Sequence, residues 1–595
     1  MQNLIIERIV ALRKEMAAEG VKAVILPRTD AHLSEYISSH WHIVRYLSGF
    51  TGSAGTMVVT DKEALLWVDS RYFLQGAQQI EGTGIILMKD GLPETPSITE
   101  YLCEHLAKGD KVGINGMLMS IDETASLRSR LNAAGIELDV DFDPIDRIWV
   151  DRPSLPSDKI FVHDEKYAGE SAKAKISRVL KSAAAQGAEA YFTSALDEIA
   201  WVLNIRSNDV PCNPVATSFL YLAPDGSTLF VDGAKMTPEV EAYLKNAGVA
   251  VAPYDAVLSS LAALPKDVTV LLSGSRASGA IAYVLDGRYV KGDSPVALPK
   301  AVKNDVQIAG IRQAHLRDGV AMVRSFMEIE KVVESGEKLT EMGVADILLK
   351  HRSKGELFFD LSFESICGFG PNGAIVHYTA TPESDSVITK GNLLLIDSGA
   401  NYLDGTTDIT RTIAIGEPTA DMRHDFTLVM KGHIAIATSI FPEGTRGAQL
   451  DALARMPLWK EGKSYLHGTG HGVGHFLNVH EGPQSIRLND TLAPLTPGML
   501  TSNEPGVYLA DRYGIRCENL VLTIPYEETE FGKFYAFETI TLCPFDRSLF
   551  DVSIMSDEEI EWVDNYHHTV YDRLAPLMTE EERAWLAAAT RPLDR

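Results

Sequence analysis

Four acidic residues stand at the ends of apolar, β-rich runs of the sequence, and they fall into two pairs. Asp397 closes LLLIDSG and Asp408 precedes ITRT, while Glu504 precedes a Pro-Gly turn and Glu518 lies on the run ENLVL. Each separation suits two strands of a hairpin, which would bring the two carboxylates face to face. Because facing carboxylates repel, a cation between them explains such a pair, and aspartates at a surface turn are the alternative.

Four histidines are interleaved with glycines in HGTGHGVGHFLNVHEGP, at positions 467, 471, 475 and 480. The four-residue spacing is similar to that of HExxH, but position 468 is glycine and the other glycines also disfavour a helix, so a helical zinc site is rejected. In an extended segment, His467, His471 and His475 would share one face. Any one of these histidines could be a core or surface residue, but their density favours a site.

Four carboxylates and a histidine form an oxygen-rich ligand set that suits two divalent metal ions. Four negative side chains balance two dications, and a metal-bound hydroxide would complete the site. Without metal, mutual repulsion would raise the pKa of these carboxyl groups. The string GFGPNG (368–373) also satisfies G-x-G-x-x-G, but Pro371 and Asn372 stand where a dinucleotide site needs a helix to begin. A glycine-rich turn between strands is expected there instead.

Three stretches of the chain are expected to fold as separate domains. Residues 1–155 alternate helical patterns with β-rich runs such as TMVVT (56–60), which is typical of an α/β domain. The prolines of DRPSLPSDK indicate a linker, and the same alternation resumes over 156–305 without a visible residue-level repeat. A long helical pattern then opens residues 306–595, which hold almost every candidate site residue. They end in a helical tail, where Ser556 is the expected N-cap with Glu559 three residues on, as in a capping box.

The composition limits the class of protein. Apolar residues make up 45% of the chain and charged residues 23%, as in soluble globular proteins. The 81 Asp and Glu against 55 Lys and Arg give a net charge of −26, which argues against nucleic acid or an anionic membrane as the main partner. The five cysteines are odd in number and include no CxxC pair, and no segment is typical of a signal peptide or membrane span. A reduced, cytoplasmic protein is expected.

Longer strings, in the same order along the chain, resemble a known family. They are SGFTGSAGT, LLWVDSRYFLQ, LDEIAWVLNIRSNDVPCNPV, KAVKN, GPNGAIVHY, HGTGHGVGHFLNVHEGP and WVDNYHHT. The chain resembles the pita-bread metallopeptidases, which include methionine aminopeptidase, prolidase and aminopeptidase P, and specifically the three-domain, cytosolic Xaa-Pro aminopeptidases. The resemblance implies an α/β (α+β) fold, with two creatinase/prolidase-like α/β domains (1–155 and 156–305) before a pita-bread catalytic domain (306–595).

The resemblance also implies the metal ligands. Asp397, Asp408, His471, Glu504 and Glu518 match the five ligand positions of the family, and all five are present. It implies that Asp408 and Glu518 bridge two ions, that Asp397 binds one ion, and that His471 and Glu504 bind the other.

The catalytic candidates are Glu504 and three histidines. The resemblance implies that His377, His467 and His480 line the substrate site, where they orient the peptide and stabilise or transfer charge. Glu504 is the candidate for passing the proton of the attacking water to the leaving nitrogen.

The expected activity is release of the first residue from peptides with proline second, by attack of a hydroxide that bridges the metals. The expected cofactors are two divalent ions, Mn(II) first, with Zn(II) or Co(II) as alternatives. A homodimer is expected, with Trp562 and Tyr566 either in its interface or packed against their own domain. A prolidase restricted to Xaa-Pro dipeptides and a non-catalytic peptide-binding protein on the same fold are the alternative functions.

Overall fold

The structure is a computed structural model that describes residues 2–594, and the chain divides into two compact units. The first unit runs through Glu165 and continues over Glu170–Val296, and the second contains Lys166–Gly169 and the chain from Ala297 onward. Both units mix helices and strands, as the predicted fold class requires. The finer division into domains 1–155, 156–305 and 306–595 stays a prediction.

Residues 2–296 form two six-stranded sheets and a two-stranded sheet of Phe161–Val162 and Ile205–Arg206, with flanking helices. The helices are α1 (Gln2–Ala18), α2 (Ile43–Ser48), α3 (Phe73–Gln79), α4 (Ile98–His105), α5 (Ile121–Ala133), α6 (Ile145–Ile148), α7 (Glu165–Ala168), α8 (Ala172–Ala185), α9 (Leu196–Leu203), α10 (Pro238–Asn246), α11 (Val257–Ala262) and α12 (Gly279–Leu285). The strands are β1 (Ala23–Pro27), β2 (Thr56–Thr60), β3 (Ala64–Val68), β4 (Ile86–Lys89), β5 (Lys111–Gly113), β6 (Glu137–Asp139), β7 (Phe161–Val162), β8 (Ala190–Thr193), β9 (Ile205–Arg206), β10 (Ser218–Leu222), β11 (Ser227–Val231), β12 (Val249–Ala252), β13 (Val270–Ser273) and β14 (Tyr289–Gly292).

The two six-stranded sheets of the first unit have the same topology. Their strand orders are β4-β3-β2-β1-β5-β6 and β12-β11-β10-β8-β13-β14. In each sheet the second, third and fourth strands pair antiparallel, and every other neighbouring pair is parallel. This repeat of topology is visible although the two halves share no repeat that the sequence shows by eye.

The second unit carries long helices and mostly antiparallel strands. The helices are α13 (Ala297–Ala301), α14 (Asp305–Ser335), α15 (Glu341–Arg352), α16 (Ala420–Ala437), α17 (Gly447–Trp459), α18 (Asp557–Leu574) and α19 (Glu580–Ala589). The strands are β15 (Phe358–Leu361), β16 (Ile366–Phe369), β17 (Asn392–Ser398), β18 (Ala400–Tyr402), β19 (Gly405–Thr406), β20 (Ile409–Ile415), β21 (Ile440–Pro442), β22 (Gly470–Gly472), β23 (Glu481–Ile486), β24 (Leu500–Asn503), β25 (Gly506–Leu509), β26 (Tyr513–Arg516), β27 (Asn519–Thr529) and β28 (Gly532–Thr539).

Two sheets of this unit present the candidate site. One has the order β16-β17-β20, and the other has the order β21-β28-β27-β24-β22-β23. In both, an antiparallel strand pair is interrupted by a smaller hairpin: β18 and β19 lie between β17 and β20, and β25 and β26 lie between β24 and β27. The inserted hairpins pair outside the two parent sheets, so the parent strands end at the same edge.

Capping fixes where the helices of this unit begin. Asn304 and Gln307 form a reciprocal capping box at the start of α14, and Gly336 ends that helix in the left-handed conformation at φ 76°. Ser556 and Glu559 form the capping box that the sequence predicts for the tail.

Among the helices of residues 2–594, not one has both the length and the apolarity needed to cross a membrane.

The helical tail packs against its own unit. Tyr566 is buried, and its hydroxyl accepts a hydrogen bond from Arg411 Nη2 at 2.9 Å. The ring of Trp562 stacks on that of Tyr566, with centroids 5.4 Å apart. Of the two roles expected for these aromatic residues, the structure therefore accounts for the packing role.

Candidate metal centre

The two interrupted strand pairs carry the four candidate carboxylates. Asp397 lies near the end of β17, opposite Thr410, and Asp408 directly precedes β20. Glu504 directly follows β24 and Glu518 directly precedes β27, flanking the paired asparagines at the ends of these strands. Both expected pairs thus lie on adjacent antiparallel strands, and the connections are longer than simple turns because each contains a hairpin of its own.

His471 joins the two carboxylate pairs. It lies in β22, and ligand atoms of Asp408, His471 and Glu518 all fall within 4.8 Å of one another. His471 Nε2 is 3.5 Å from Asp408 Oδ2 and 3.4 Å from Glu504 Oε1. Its Nδ1 is 2.9 Å from the Gly472 carbonyl oxygen, and a donor role there leaves the Nε2 lone pair free to bind a metal.

The charges of the cluster fit a bound cation. Burial raises the pKa of Glu518 well above its ordinary value, and repulsion by Asp408 and Glu504 adds to the rise. Burial alone would lower the pKa of His471, but the hydrogen bond to Asp408 and the charge of Glu504 raise it to about 9. Oδ1 of Asp397 and Oε1 of Glu518 are buried and have no hydrogen-bond partner within residues 2–594. Divalent ions would satisfy these oxygens and relieve the repulsion.

Arg516 was missed by the sequence reasoning, and it organises one side of the cluster. This fully buried guanidinium donates to Asp397 Oδ2 at 2.6 Å and to Tyr508 Oη at 2.7 Å. Its Nε also reaches Thr410 Oγ1 at 3.2 Å, and that hydroxyl donates to Glu518 Oε2 at 2.7 Å. Burial raises the pKa of Asp397, although the charge of Arg516 opposes the rise.

A signal for these missed residues was present in the sequence. Arg516 stands two residues before Glu518, and Thr410 stands two residues after Asp408. In extended chain, residues two apart point to the same side of the sheet. A search for polar residues at this spacing from each ligand would therefore have found both.

Close backbone packing positions His471. A Cβ on Gly470 would stand 1.9 Å from the Ser502 carbonyl oxygen, so only glycine lets β22 lie this close to β24. The His471 amide donates to Ser502 Oγ at 2.9 Å, and that hydroxyl donates to Glu504 Oε1 at 3.0 Å. One serine therefore orients both candidate ligands on this side of the cluster.

His480 and His377 lie along one side of the cluster. The ring centroid of His480 is 4.3 Å from that of His471, with the rings inclined at 76°, and 6.5 Å from that of His377. His377 sits in the string GPNGAIVHY, which is held by the buried carboxylate of Glu341. Asn372 Nδ2 and Tyr378 Oη donate to this carboxylate at 3.0 and 2.8 Å, on either side of His377 in the chain.

His467 contacts the cluster through other side chains. Its Nε2 lies 2.8 Å from Tyr508 Oη, the same hydroxyl that accepts from Arg516. Arg455 holds the backbone at His467, because its Nη2 donates a hydrogen bond to the His467 carbonyl oxygen at 2.8 Å. His467 is thus connected to Asp397 through two intervening side chains.

The histidine-bearing segment 467–480 is extended only over Gly470–Gly472. The predicted common strand face therefore does not include His467 or His475, and His475 is buried.

The string GFGPNG forms the end of β16 followed by a short 3-10 turn over Gly370–Ala374, as the rejection of a dinucleotide site predicts.

Comparison with known sequences matches families along nearly the whole chain. Residues 309–524 match metallopeptidase family M24, and residues 533–593 match the C-terminal region of peptidase M24. Residues 8–148 and 151–307 each match the creatinase/prolidase N-terminal domain.

Full-length relatives decide the assignment. Aminopeptidase P2 of Arabidopsis thaliana is 42% identical over 614 aligned residues, which cover 96% of this chain and 86% of the relative. A probable Xaa-Pro aminopeptidase P of Aspergillus flavus is 40% identical over 99% of this chain and 93% of its own length. The chain belongs to metallopeptidase family M24. Its creatinase-type N-terminal domains and pita-bread catalytic domain confirm the predicted fold class.

A solved structure supports this membership of family M24. The crystal structure of X-prolyl aminopeptidase from Caenorhabditis elegans, described as a cytosolic enzyme with a di-nuclear active site, superimposes with a TM-score of 0.96. The two proteins are 34% identical, and the match covers 99% of each chain. This M24 chain therefore shares the complete fold of that enzyme.

Proposed function

We propose that this chain is a metal-dependent aminopeptidase that releases the first residue of peptides whose second residue is proline. The observation that carries the proposal is the convergence of Asp408, His471 and Glu518, within 4.8 Å of one another, in a full-length relative of Xaa-Pro aminopeptidases. Asp397 and Glu518 each have a buried oxygen without a hydrogen-bond partner in the described part of the chain, which supports a site made for cations.

Five side chains would hold two divalent ions. Asp408 and Glu518 would bridge them, Asp397 would bind one ion, and His471 with Glu504 would bind the other. When bound, such ions polarise a carbonyl group and lower the pKa of a coordinated water molecule. Four carboxylates and one imidazole are mainly hard oxygen ligands, which supports Mn(II), with Zn(II) and Co(II) as alternatives.

Glu504 is proposed to transfer the proton. Burial raises the pKa of this carboxyl group, against the charges of His471 and Arg516. A carboxylate within reach of the attacking water is a group that can accept its proton. Glu504 takes the proton as a water molecule attacks the scissile carbonyl, and returns it to the proline nitrogen as the C–N bond breaks. The proline nitrogen of the substrate bears no hydrogen, so this transfer supplies the proton that makes it a leaving amine.

His480, His377 and His467 are proposed to bind and orient the peptide. His480 and His377 lie side by side next to His471, where a ring N–H can donate to the oxygen that becomes negative in the transition state. His467 shares the Tyr508 hydroxyl with Arg516, and this places it to hold a carbonyl group of the peptide.

The test is hydrolysis of a series of Xaa-Pro-Yaa peptides, with the matching Xaa-Pro dipeptide and an Xaa-Ala-Yaa control. Chelator-stripped protein is restored with Mn(II) or Zn(II), and the released amino acid is measured. Cleavage of the proline tripeptides only is the expected result, and the better metal identifies the cofactor. Cleavage confined to the dipeptide would instead establish a prolidase, and metal uptake without hydrolysis would establish a peptide-binding protein.

We also propose a cytoplasmic homodimer. The thiols of Cys103, Cys367, Cys517 and Cys543 are free, which suits a reducing compartment. The dimer is carried over from the family resemblance and is tested by light scattering at micromolar concentration, where a monomeric mass would refute it. Peptides remain the proposed partners, and neither nucleic acid nor a membrane is proposed.

A further inference from the structure

A buried cluster of three ionic side chains adjoins the substrate histidines. Lys300 and Lys303 belong to the string KAVKN, to which the proposed function assigns no role. Lys300 Nζ lies 2.6 Å from Glu481 Oε2, and Lys303 Nζ lies 2.5 Å from Glu481 Oε1. These three side chains are at most 1% exposed, so each carboxylate oxygen of Glu481 has an ammonium group as its partner inside the protein.

The two lysines come from a segment that is itself fixed to the sheet of the site. The Lys303 amide donates to the Gly498 carbonyl oxygen at 2.9 Å, and Val302 forms a β-bridge with Met499, just before β24. Lys303 Nζ also donates to the Lys300 carbonyl oxygen at 3.1 Å, which ties the end of α13 to the start of α14. The ammonium groups therefore stand at defined places relative to β24, the strand that leads into Glu504.

Glu481 lies at the point where this segment can act on the site. It directly follows His480, begins β23 and pairs with Gly472, the neighbour of His471. A bulge interrupts the pairing between His471 and Gly472, so the strand ladder alone constrains this junction weakly. A fixed side chain at position 481 supplies the missing constraint next to the His480 ring, which lies 4.3 Å from that of His471.

Stability alone does not account for such a cluster. Burying ammonium and carboxylate groups costs desolvation energy, and apolar replacements of buried ion pairs are often as stable or more stable. We infer that Glu481, held by Lys300 and Lys303, is a positioning residue that fixes the chain at His480 and so the place of its imidazole beside His471. The inference rests on the proposed function, in which His480 contacts the peptide.

A double-mutant cycle tests the inference. Because displacement of a catalytic group by about 1 Å can cost about 10²-fold in rate, Glu481→Gln should lower kcat on Xaa-Pro-Yaa peptides by roughly 10- to 100-fold. In a His480→Ala background the same change should cost no more than about twofold, since no imidazole remains to be displaced. Lys300→Met, which leaves one ammonium group in place, should show a smaller loss with the same dependence on His480.

The matched control is Asp209→Asn in the first unit. Asp209 forms an equally buried pair with Lys235, with side-chain exposures of 0% and 2%. Its loss should lower thermal stability but cost the same fraction of kcat with or without His480. If Glu481→Gln also costs the same factor in both backgrounds, the cluster merely stabilises the fold and the inference is refuted.

A second readout does not depend on catalysis. In zinc-loaded protein labelled with ¹³C at histidine Cε1, the ring signal of His480 is identified by its loss in His480→Ala. It should move in both Glu481→Gln and Lys300→Met and stay in place in Asp209→Asn. An unmoved signal in Lys300→Met and Glu481→Gln refutes the inference even if the wild-type protein cleaves peptides. If the wild-type protein cleaves no Xaa-Pro peptide, the proposed function fails, and the ring signal alone then decides whether Glu481 positions His480.

Discussion

The two interrupted strand pairs have similar backbones but compensate their charges differently. In each, an antiparallel pair ends at the site with an inserted hairpin, and each half sends a buried arginine to the other. Arg516, from the hairpin beside the glutamates, donates to the Asp397 carboxylate, whereas Arg411, from β20 beside the aspartates, donates to the Glu518 backbone carbonyl at 2.6 Å. Arg516 neutralises a candidate ligand, whereas Arg411 holds the backbone of another candidate ligand without neutralising its carboxylate.

This difference shows which carboxylate depends most on a metal ion. Asp397 has a permanent cation within 2.6 Å, because guanidinium stays protonated at every pH the protein experiences. Glu518 receives a hydroxyl hydrogen bond from Thr410 on one oxygen, and its other oxygen has no partner in the described chain. We therefore expect metal ions to neutralise more of the negative charge on the glutamate side of the cluster than on the aspartate side.

The largest expected effect comes from removing Asp408, whose carboxylate is proposed to bind both metal ions. If Asp408 bridges the ions as proposed, Asp408→Ala should reduce peptide hydrolysis by about 10³-fold or more, because losing such a ligand removes several kcal/mol of transition-state stabilisation. Bound Mn(II), measured by elemental analysis after gel filtration, should fall below that of the wild-type protein. Retention of the full metal content with activity within about tenfold of wild type would show that Asp408 does not bridge the ions.

The second prediction compares the halves directly in chelator-stripped protein. Asp397→Asn leaves Arg516 without its buried partner and should destabilise the second unit by about 3–5 kcal/mol. Glu518→Gln removes a carboxyl group whose ionisation is opposed by burial and by its neighbours, so it should leave the stability unchanged or increase it.

Calorimetry of both variants with and without Mn(II) measures these effects. The added metal should stabilise the wild-type protein and lose much of this effect in both variants, since each lacks a ligand. Equal destabilisation by the two substitutions in the absence of metal would mean that the halves do not differ in charge compensation.

The sequence predicts where along the chain the candidate ligands stand, because these positions obey local rules. Apolar runs that end in Asp397 or carry Glu518, and a glycine-rich segment around His471, are patterns of strand periodicity and close backbone packing. The capping box at Ser556 is equally local and is confirmed. The family resemblance implies which of these residues would bind metal, which spacing alone does not distinguish.

The remaining features depend on contacts between distant parts of the chain. The inserted hairpins change which strands pair without changing the hydrophobic pattern, so the partner of β17 or β24 is not readable from periodicity. Arg516 acts on Asp397 across 119 positions of sequence, and Glu341 holds Tyr378 across 37. Such pairings are set by tertiary packing, which is also why the identical order of the two N-terminal sheets is visible only in the structure.

A third prediction concerns His433, which supports the glutamate pair and, unlike Arg516, is uncharged at neutral pH in the folded chain. His433 is fully buried, with Nδ1 3.2 Å from the Cys517 carbonyl oxygen and Nε2 3.2 Å from Asn519 Nδ2. Burial, helped by the charge of Arg411, lowers its pKa to about 3 from an ordinary 6.5. The unfolded chain therefore binds a proton that the folded chain does not, between these two values.

The stability that neutral His433 contributes is complete above pH 6.5 and is lost as the pH falls toward 3. Between pH 6.5 and 4 we expect His433→Gln to reduce the acid-induced loss of unfolding free energy by about 1–3 kcal/mol. Urea unfolding followed across this pH range measures it, with the exposed His568→Gln as the control. An unchanged pH slope in His433→Gln would mean that the glutamate side is no more acid-sensitive than the aspartate side.

The smallest effect is expected where a residue reaches the aspartate side only through other side chains. His467 is connected to Asp397 by Tyr508 and Arg516, and neither carboxylate pair loses a ligand when its imidazole is removed. His467→Ala should therefore lower kcat by about 10- to 100-fold, since the loss of one hydrogen bond costs about 1–3 kcal/mol, and leave the bound metal unchanged. Tyr508→Phe is the matched control, because it breaks the connection to Arg516 but keeps His467 in place. If His467 contacts the peptide itself, Tyr508→Phe will retain more activity than His467→Ala. Equal losses would mean that His467 acts only by orienting Arg516 on Asp397, and metal loss as large as in Asp408→Ala would remove the distinction between ligands and substrate-binding histidines.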